Sequence, residues 1–176
     1  RGQIQFTQDS IKAQALTKVW GHDIKLTGER DAQGVPRFVA TGLISGEGLR
    51  NAHDWPALAQ LAQHMTGQSP LTVTVALNKA RPAKGQAAAA VRPELQIQSS
   101  LQGLAIDLPA PLNKPAADAW PLKLTHRSEG ADGTNDRLTL ELGSPQPWLI
   151  DYRRDTQGTS AKVRQGLWQI GSSSVG

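Results

Sequence analysis

Asp23-Ile24-Lys25-Leu26-Thr27 decides the fold class of this chain. Ile24 and Leu26 alternate with three polar residues, a period of two that an α-helix does not sort onto one side. A β-strand does, with one row toward a core and the other toward water. The same alternation runs outward in both directions. Upstream, Ile4 and Phe6 alternate with Gln3, Gln5 and Thr7, and Ile11, Ala13 and Ala15 alternate with Lys12, Gln14 and Leu16. Downstream, Val73, Val75 and Leu77 share one face of a strand near 70–79.

Turn residues punctuate these runs. Gln8-Asp9, Trp20-Gly21 and Asp31-Ala32-Gln33-Gly34 separate strands expected near 2–7, 10–19, 22–30 and 36–45. Further strands are expected near 93–107, 119–127, 136–142, 147–154 and 161–170. Ser128–Asn135 and Asp155-Thr156-Gln157-Gly158 read as hairpin loops, and 80–92 reads as a flexible loop. One helix is expected near 54–66. Asp54 supplies the cap and Pro56 sits in the first turn, while Trp55, Leu58, Leu61 and Met65 recur at helical spacing, and Gly67 stops it. With no crossover helices between strands, the expected fold is mainly β: a largely antiparallel sheet with one packed helix, in a single segment over 1–176.

Composition narrows the function classes. Apolar residues make up 38% of the 176, which suits thin layers or one wet face better than a thick core. There is no cysteine, so disulfides, thiolate chemistry and Cys-ligated metals are excluded. The net charge of +4 comes from scattered residues such as Lys12, Lys18, Lys25, Arg30 and Arg37. Arg153–Arg154 is the adjacent basic pair, and no basic stripe interleaved with aromatics marks a nucleic-acid surface. No apolar run reaches the length of a membrane span. Both ends read as boundaries inside a longer protein, with any anchor beyond them.

Catalytic and metal patterns are missing. His22, His53, His64 and His126 form neither HExxH nor a close pair, so no metal is expected. No GxSxG occurs, and Gly46-Glu47-Gly48 lacks the lysine and βαβ context of a phosphate loop. Glu47 with Asp54, or Asp107 with Asp118, has no feature marking it as a glycosidase pair. No cofactor is expected.

The most distinctive stretch is Leu95–Leu124. Leu95, Ile97 and Leu101 hold one parity, Gly103 breaks it, and Leu104, Ile106 and Leu108 continue on the other. That is the signature of a bulge at Gly103, with Pro109 and Pro111 ending the strand. Ser99-Ser100-Leu101-Gln102-Gly103-Leu104-Ala105-Ile106-Asp107-Leu108-Pro109-Ala110-Pro111-Leu112-Asn113-Lys114-Pro115 resembles a motif of the YhdP-type, AsmA-like family, a strand ending in GLxxxLPxPLxK. Ala116-Ala117-Asp118-Ala119-Trp120-Pro121-Leu122 matches its continuation. Gly2–Phe6, Trp20–Leu26 and Val39–Ser45 are similar to the family's strand pattern less specifically.

The resemblance implies a non-catalytic periplasmic segment of a large protein anchored in the inner membrane from outside this chain. It implies a curled, groove-like sheet and a role in phospholipid transport between inner and outer membranes, hence in outer-membrane integrity. Phospholipid acyl chains are then the expected partner. The residues expected to meet them are Leu95, Ile97, Leu101, Leu104, Ile106, Val73 and Val75. Two rival readings stand beside it: a structural module that binds another envelope protein through a sheet edge, and an envelope glycan-acting enzyme.

Overall fold

The computed structural model describes residues 2–6, 11–30, 32, 34–53, 56–79, 91–129, 134–143, 145–156 and 162–171. Ten strands lie in one antiparallel sheet in strict chain order: β1 (Gly2–Phe6), β2 (Ile11–Val19), β3 (His22–Arg30), β4 (Pro36–Ser45), β5 (Met65–Lys79), β6 (Val91–Ser99), β8 (Leu122–Glu129), β9 (Asn135–Leu142), β10 (Trp148–Asp155) and β11 (Lys162–Ile170). The short β7 (Leu104–Ile106) leaves this path and pairs with the start of β5. The sheet is a meander and is not closed, with β1 and β11 at its two ends.

The β2–β3 connection shows why the sequence turns where it does. Val19 pairs with His22, so Trp20-Gly21 forms a two-residue loop. Trp20 has φ 49° and Gly21 has φ 86°. Positive φ at both central residues matches the strand twist, as hairpins of this length require. The tip rests on a helical turn, α1 (Gly46–Arg50). A Cβ at Gly48 would lie 2.7 Å from the Trp20 carbonyl oxygen, so only glycine allows this approach. Gly46 similarly admits the backbone of Met65. The Gly46-Glu47-Gly48 stretch is therefore a packing joint. Ser45 Oγ caps α1 by accepting from Gly48 N at 3.0 Å, and it pairs with His22 Nε2 at 2.6 Å.

The helix expected over 54–66 is shorter than its apolar spacing suggested. Asp54 and Trp55 lie outside the described residues. A six-residue helix, α2 (Pro56–Leu61), passes into a 3₁₀ turn at Ala62–His64, and Met65 already opens β5. Arg50 Nη1 donates to the carbonyls of Ala62 and Met65 and closes that end. Leu61, expected in the core, is 39% exposed, whereas Ala62 is fully buried. The physical reason is the tightened turn, which shifts the face toward Ala62 and leaves Leu61 outside.

The strand expected over 93–107 is also broken. β6 ends at Ser99, and a turn with Leu101 at φ 52° and Gly103 at φ 92° leads to β7. Gly103 thus has the irregular backbone its sequence context suggested, in a turn and not in a bulge of one continuous strand. The return strand starts at Leu122, not Ala119. The loop expected over 80–92 gives up Val91 and Arg92 to β6, and 80–90 lie outside the described residues.

Segment 100–120 instead folds back as a cap over one end of the sheet. Gly103 N donates to Ala116 O at 2.7 Å, and Trp120 N donates to Ser100 O at 2.9 Å. Ile106 and Lys114 exchange both backbone hydrogen bonds at 2.9 Å. Lys114 is 1% exposed, and its Nζ donates to Leu104 O at 2.8 Å and Pro115 O at 3.1 Å. The cap encloses Leu49, Ala62, Met65, Leu101, Leu104 and Trp120, with Ile44, Leu58, Ile106, Leu122 and Leu142 packed on them.

Candidate lipid-facing surface

Register turns the alternation into two faces. Ala15 lies opposite Leu26, then Ala40, Val73, Ile97, Leu124, Leu140, Ile150 and Trp168 follow in one row. Every residue in that row is apolar. It crosses nine strands, and eight inter-strand steps of about 4.8 Å give a length of about 38 Å. One row further from the cap run Phe38, Val75, Leu95, His126, Leu138 and Tyr152. On the cap side run Leu71, Ser99, Leu122, Leu142, Trp148 and Ile170. The opposite face carries Thr27, Val39, Thr74, Gln96, Thr125, Thr139 and Asp151 in the matching row.

The seven residues expected to meet lipid fall into two groups. Val73, Val75, Leu95 and Ile97 come together as directly opposed pairs, Val73 with Ile97 and Val75 with Leu95, on the apolar face. All four are half-buried. Leu101 and Leu104 do not join them. They are 7% and 1% exposed in the cap core, and Ile106 packs against that core. Leu101 and Leu104, so enclosed, have almost no surface to offer a ligand, and Ile106 is half-buried beside them. The parity break at Gly103 was the signal for this separation, because it marks the turn by which the chain leaves the β6 path for β7 beside the start of β5.

On β8 to β10 the edge of the apolar face away from the cap is polar, whereas on β5 and β6 that edge carries Leu77 and Pro93. Asp136 on β9 lies directly opposite Arg154 on β10 and is 6% exposed. Arg154 grips it with both Nε and Nη2, at 2.9 and 2.5 Å. His126 Nε2 on β8 meets Asp136 Oδ2 at 2.8 Å. The Arg154 hydrogen bonds hold the Asp136 carboxyl below its usual range, against the opposing effect of burial. On the other face, Arg127, Arg137 and Arg153 stand in one row across three strands. Like charges opposed in this way are unfavourable. Glu129 offsets them with contacts of 3.3, 4.0 and 3.8 Å to Arg127, Arg137 and Arg153. Asp151 adds two hydrogen bonds to Arg137. The adjacent pair Arg153–Arg154 therefore splits between faces.

An open cleft of about 1050 Å³ runs along the strand ends beside Pro70, Leu122, Lys123, Glu141, Trp148 and Leu149. Its one carboxylate among the described residues, Glu141, lies 3.7 Å from Lys123 Nζ. No group of three or more metal-ligating side chains occurs among the described residues. No helix among them is long and apolar enough to cross a membrane.

No curated protein and no solved structure matches the chain. The profile of one family, described as YhdP protein, matches residues 1–175. That span takes in the cap motif, the meander and the apolar face together, and the chain belongs to the YhdP family.

Proposed function

We propose that this chain is a non-catalytic, lipid-contacting segment of an envelope protein, acting in phospholipid transport between the inner and outer membranes. In this reading the segment lies in the periplasm and the anchor in the inner membrane is outside it. The observation that carries the proposal is the uninterrupted apolar row from Ala15 to Trp168. Its members on β3 to β10 are half-buried, and the cap packs at one end of the strands. Burying acyl chains there is favourable by about 0.8 kcal/mol per CH₂ removed from water. A row of similar apolar side chains has no single deep minimum, which favours sliding over storage. Family membership supports the same reading.

Neighbouring residues on one strand supply the test. Ile97 points to the apolar face and Gln96 to the other. A photocrosslinking residue at position 97 in cells is expected to capture phospholipid, and one at position 96 is not. Equal capture at both positions, or capture at neither, would overturn the proposal. With the probe moved to position 73, opposite it, Ile97→Asp is expected to abolish lipid capture while the sheet still folds, because a lone carboxylate is poorly solvated among acyl chains.

A second reading rests on β11. Val163, Leu167, Trp168 and Ile170 are 61%, 50%, 61% and 53% exposed on a strand paired along one side. Such an edge suits addition of a strand from another envelope protein. Loss of co-purifying protein on Leu167→Lys, with lipid capture at position 97 retained, would favour it.

A further inference from the structure

The ion pair on the apolar face adds its hydrogen bonds where the backbone already joins the two strands. Asp136 and Arg154 are already joined by the β9–β10 ladder, which pairs every residue from Trp148 to Asp155. Placing a guanidinium and a carboxylate beside Leu138 and Tyr152, the next residues on that face, carries a desolvation cost that a hydrophobic pair would avoid. The geometry uses Arg154 in a particular way. Asp136 engages Nε and Nη2, so the fork is held in one orientation with Nη1 uncommitted to it. The Arg154 side chain is 32% exposed and that of Asp136 8%, so the cation faces outward and its anchor does not. His126, 34% exposed, meets the same Asp136 Oδ2 as Arg154 Nη2.

We infer that Arg154, with His126 beside it, receives the phosphate of a lipid whose acyl chains lie along the apolar rows. The inference rests on the lipid-contact reading and adds where the headgroup sits and how the lipid is oriented. Asp136 is a positioning residue that fixes the Arg154 fork and touches no ligand. Two walls define the strip. On one side the cap is apolar, with Leu122 and Leu142 packed into it. On the other side lies the polar margin of Ser128, Asp136 and Arg154, paired in one row. An amphiphile placed on this face satisfies both with its phosphate at the margin, beside His126, and its tails along Leu95, Val75 and Phe38, toward β4. Arginine suits a phosphate because its planar donors match the anion's oxygens.

Binding is read on the purified chain by quenching of tryptophan fluorescence, since Trp168 lies on the apolar row beside Ile150. The probes are a lysophosphatidic acid and a monoacylglycerol with the same brominated chain. The wild type is expected to bind the phosphate-bearing probe roughly tenfold more tightly. Arg154→Gln is expected to remove that preference and leave monoacylglycerol binding unchanged. Arg153→Gln, on the opposite face, is expected to change neither. Excess inorganic phosphate is expected to weaken only the lysophosphatidate, which keeps the test valid if Arg154→Gln unfolds. Equal binding of both probes by the wild type, or a preference that survives Arg154→Gln or excess phosphate, overturns the headgroup site and leaves the apolar reading standing. Binding of neither probe overturns both.

Discussion

The capped end of the sheet and its last hairpin are built from similar residues and held in opposite ways. At the cap, Leu49, Leu104, Ala62 and Trp120 are 2%, 1%, 0% and 4% exposed, and even Lys114 is buried. In the β10–β11 hairpin, large apolar side chains on β11 stay half or more exposed. There the ladder and polar pairs do the holding: Arg164 with Asp155, and Trp168 Nε1 donating to Tyr152 Oη, while Arg154 ties β10 back to Asp136 on β9. The contrast teaches that this fold concentrates its packing energy in a small cap and lets the sheet extend from it on hydrogen bonds. A sheet arranged so keeps apolar surface available for something other than its own core.

The comparison can be broken most sharply at the cap. Leu104→Ala should cost about 3–5 kcal/mol, measured by urea unfolding, because the side chain is 1% exposed with neighbours on every side. A loss under about 1 kcal/mol would show that the cap is not the packed centre. Gly103→Val should cost about 1–3 kcal/mol, since φ is 92° and a Cβ there would strike the Gln68 carbonyl oxygen. An unchanged midpoint would contradict the turn.

Asp136→Asn probes the polar half of the contrast. Its expected cost is about 1–3 kcal/mol at neutral pH, from weakening two charge-assisted bonds around a buried group. The sign of its pH dependence follows from the lowered folded-state pKa of Asp136, set first by the Arg154 hydrogen bonds. That contribution is present above the unfolded value of about 3.9 and is lost as pH falls through the lower folded value. Thermal melts of the wild type should therefore weaken below about pH 4, and the variant should show a shallower acid limb. Identical acid limbs would remove Asp136 from the stabilising network. The smallest effect is expected at Leu61→Ala. With the side chain 39% exposed, the loss should stay below about 1 kcal/mol. A loss of 2–4 kcal/mol would restore the longer helix that the Leu58, Leu61 and Met65 spacing suggested.

Alternation and turn residues made most of the sheet legible. Strands expected over 22–30 and 36–45 appear with those bounds, because Ile24 and Leu26 alternate with polar residues in the first and turn residues bracket both. The cap was legible only as an irregularity. Gly103 and the two prolines marked a disturbance, but nothing in their order revealed that Lys114 would be pulled inside to donate to the Leu104 and Pro115 carbonyls. The helix failed for a related reason. Local spacing favoured continuing to Met65, and pairing of Met65–Gly67 with β7 won that segment for the sheet.

The sequence by itself determined that this chain is an antiparallel β-structure of the YhdP kind, with two unlike faces. Side-chain alternation is a local property, and so are turn preferences, and both survive in a string of letters. Tertiary structure alone decided which residues share a face row, because register is a relation between strands. Val73 meets Ile97 and not its neighbours for that reason, and Leu101 and Leu104 leave the face for the cap. It also assembled His126, Asp136 and Arg154 from three strands. No spacing within one strand encodes that cluster, since it exists only once the ladders of β8, β9 and β10 have fixed their alignment.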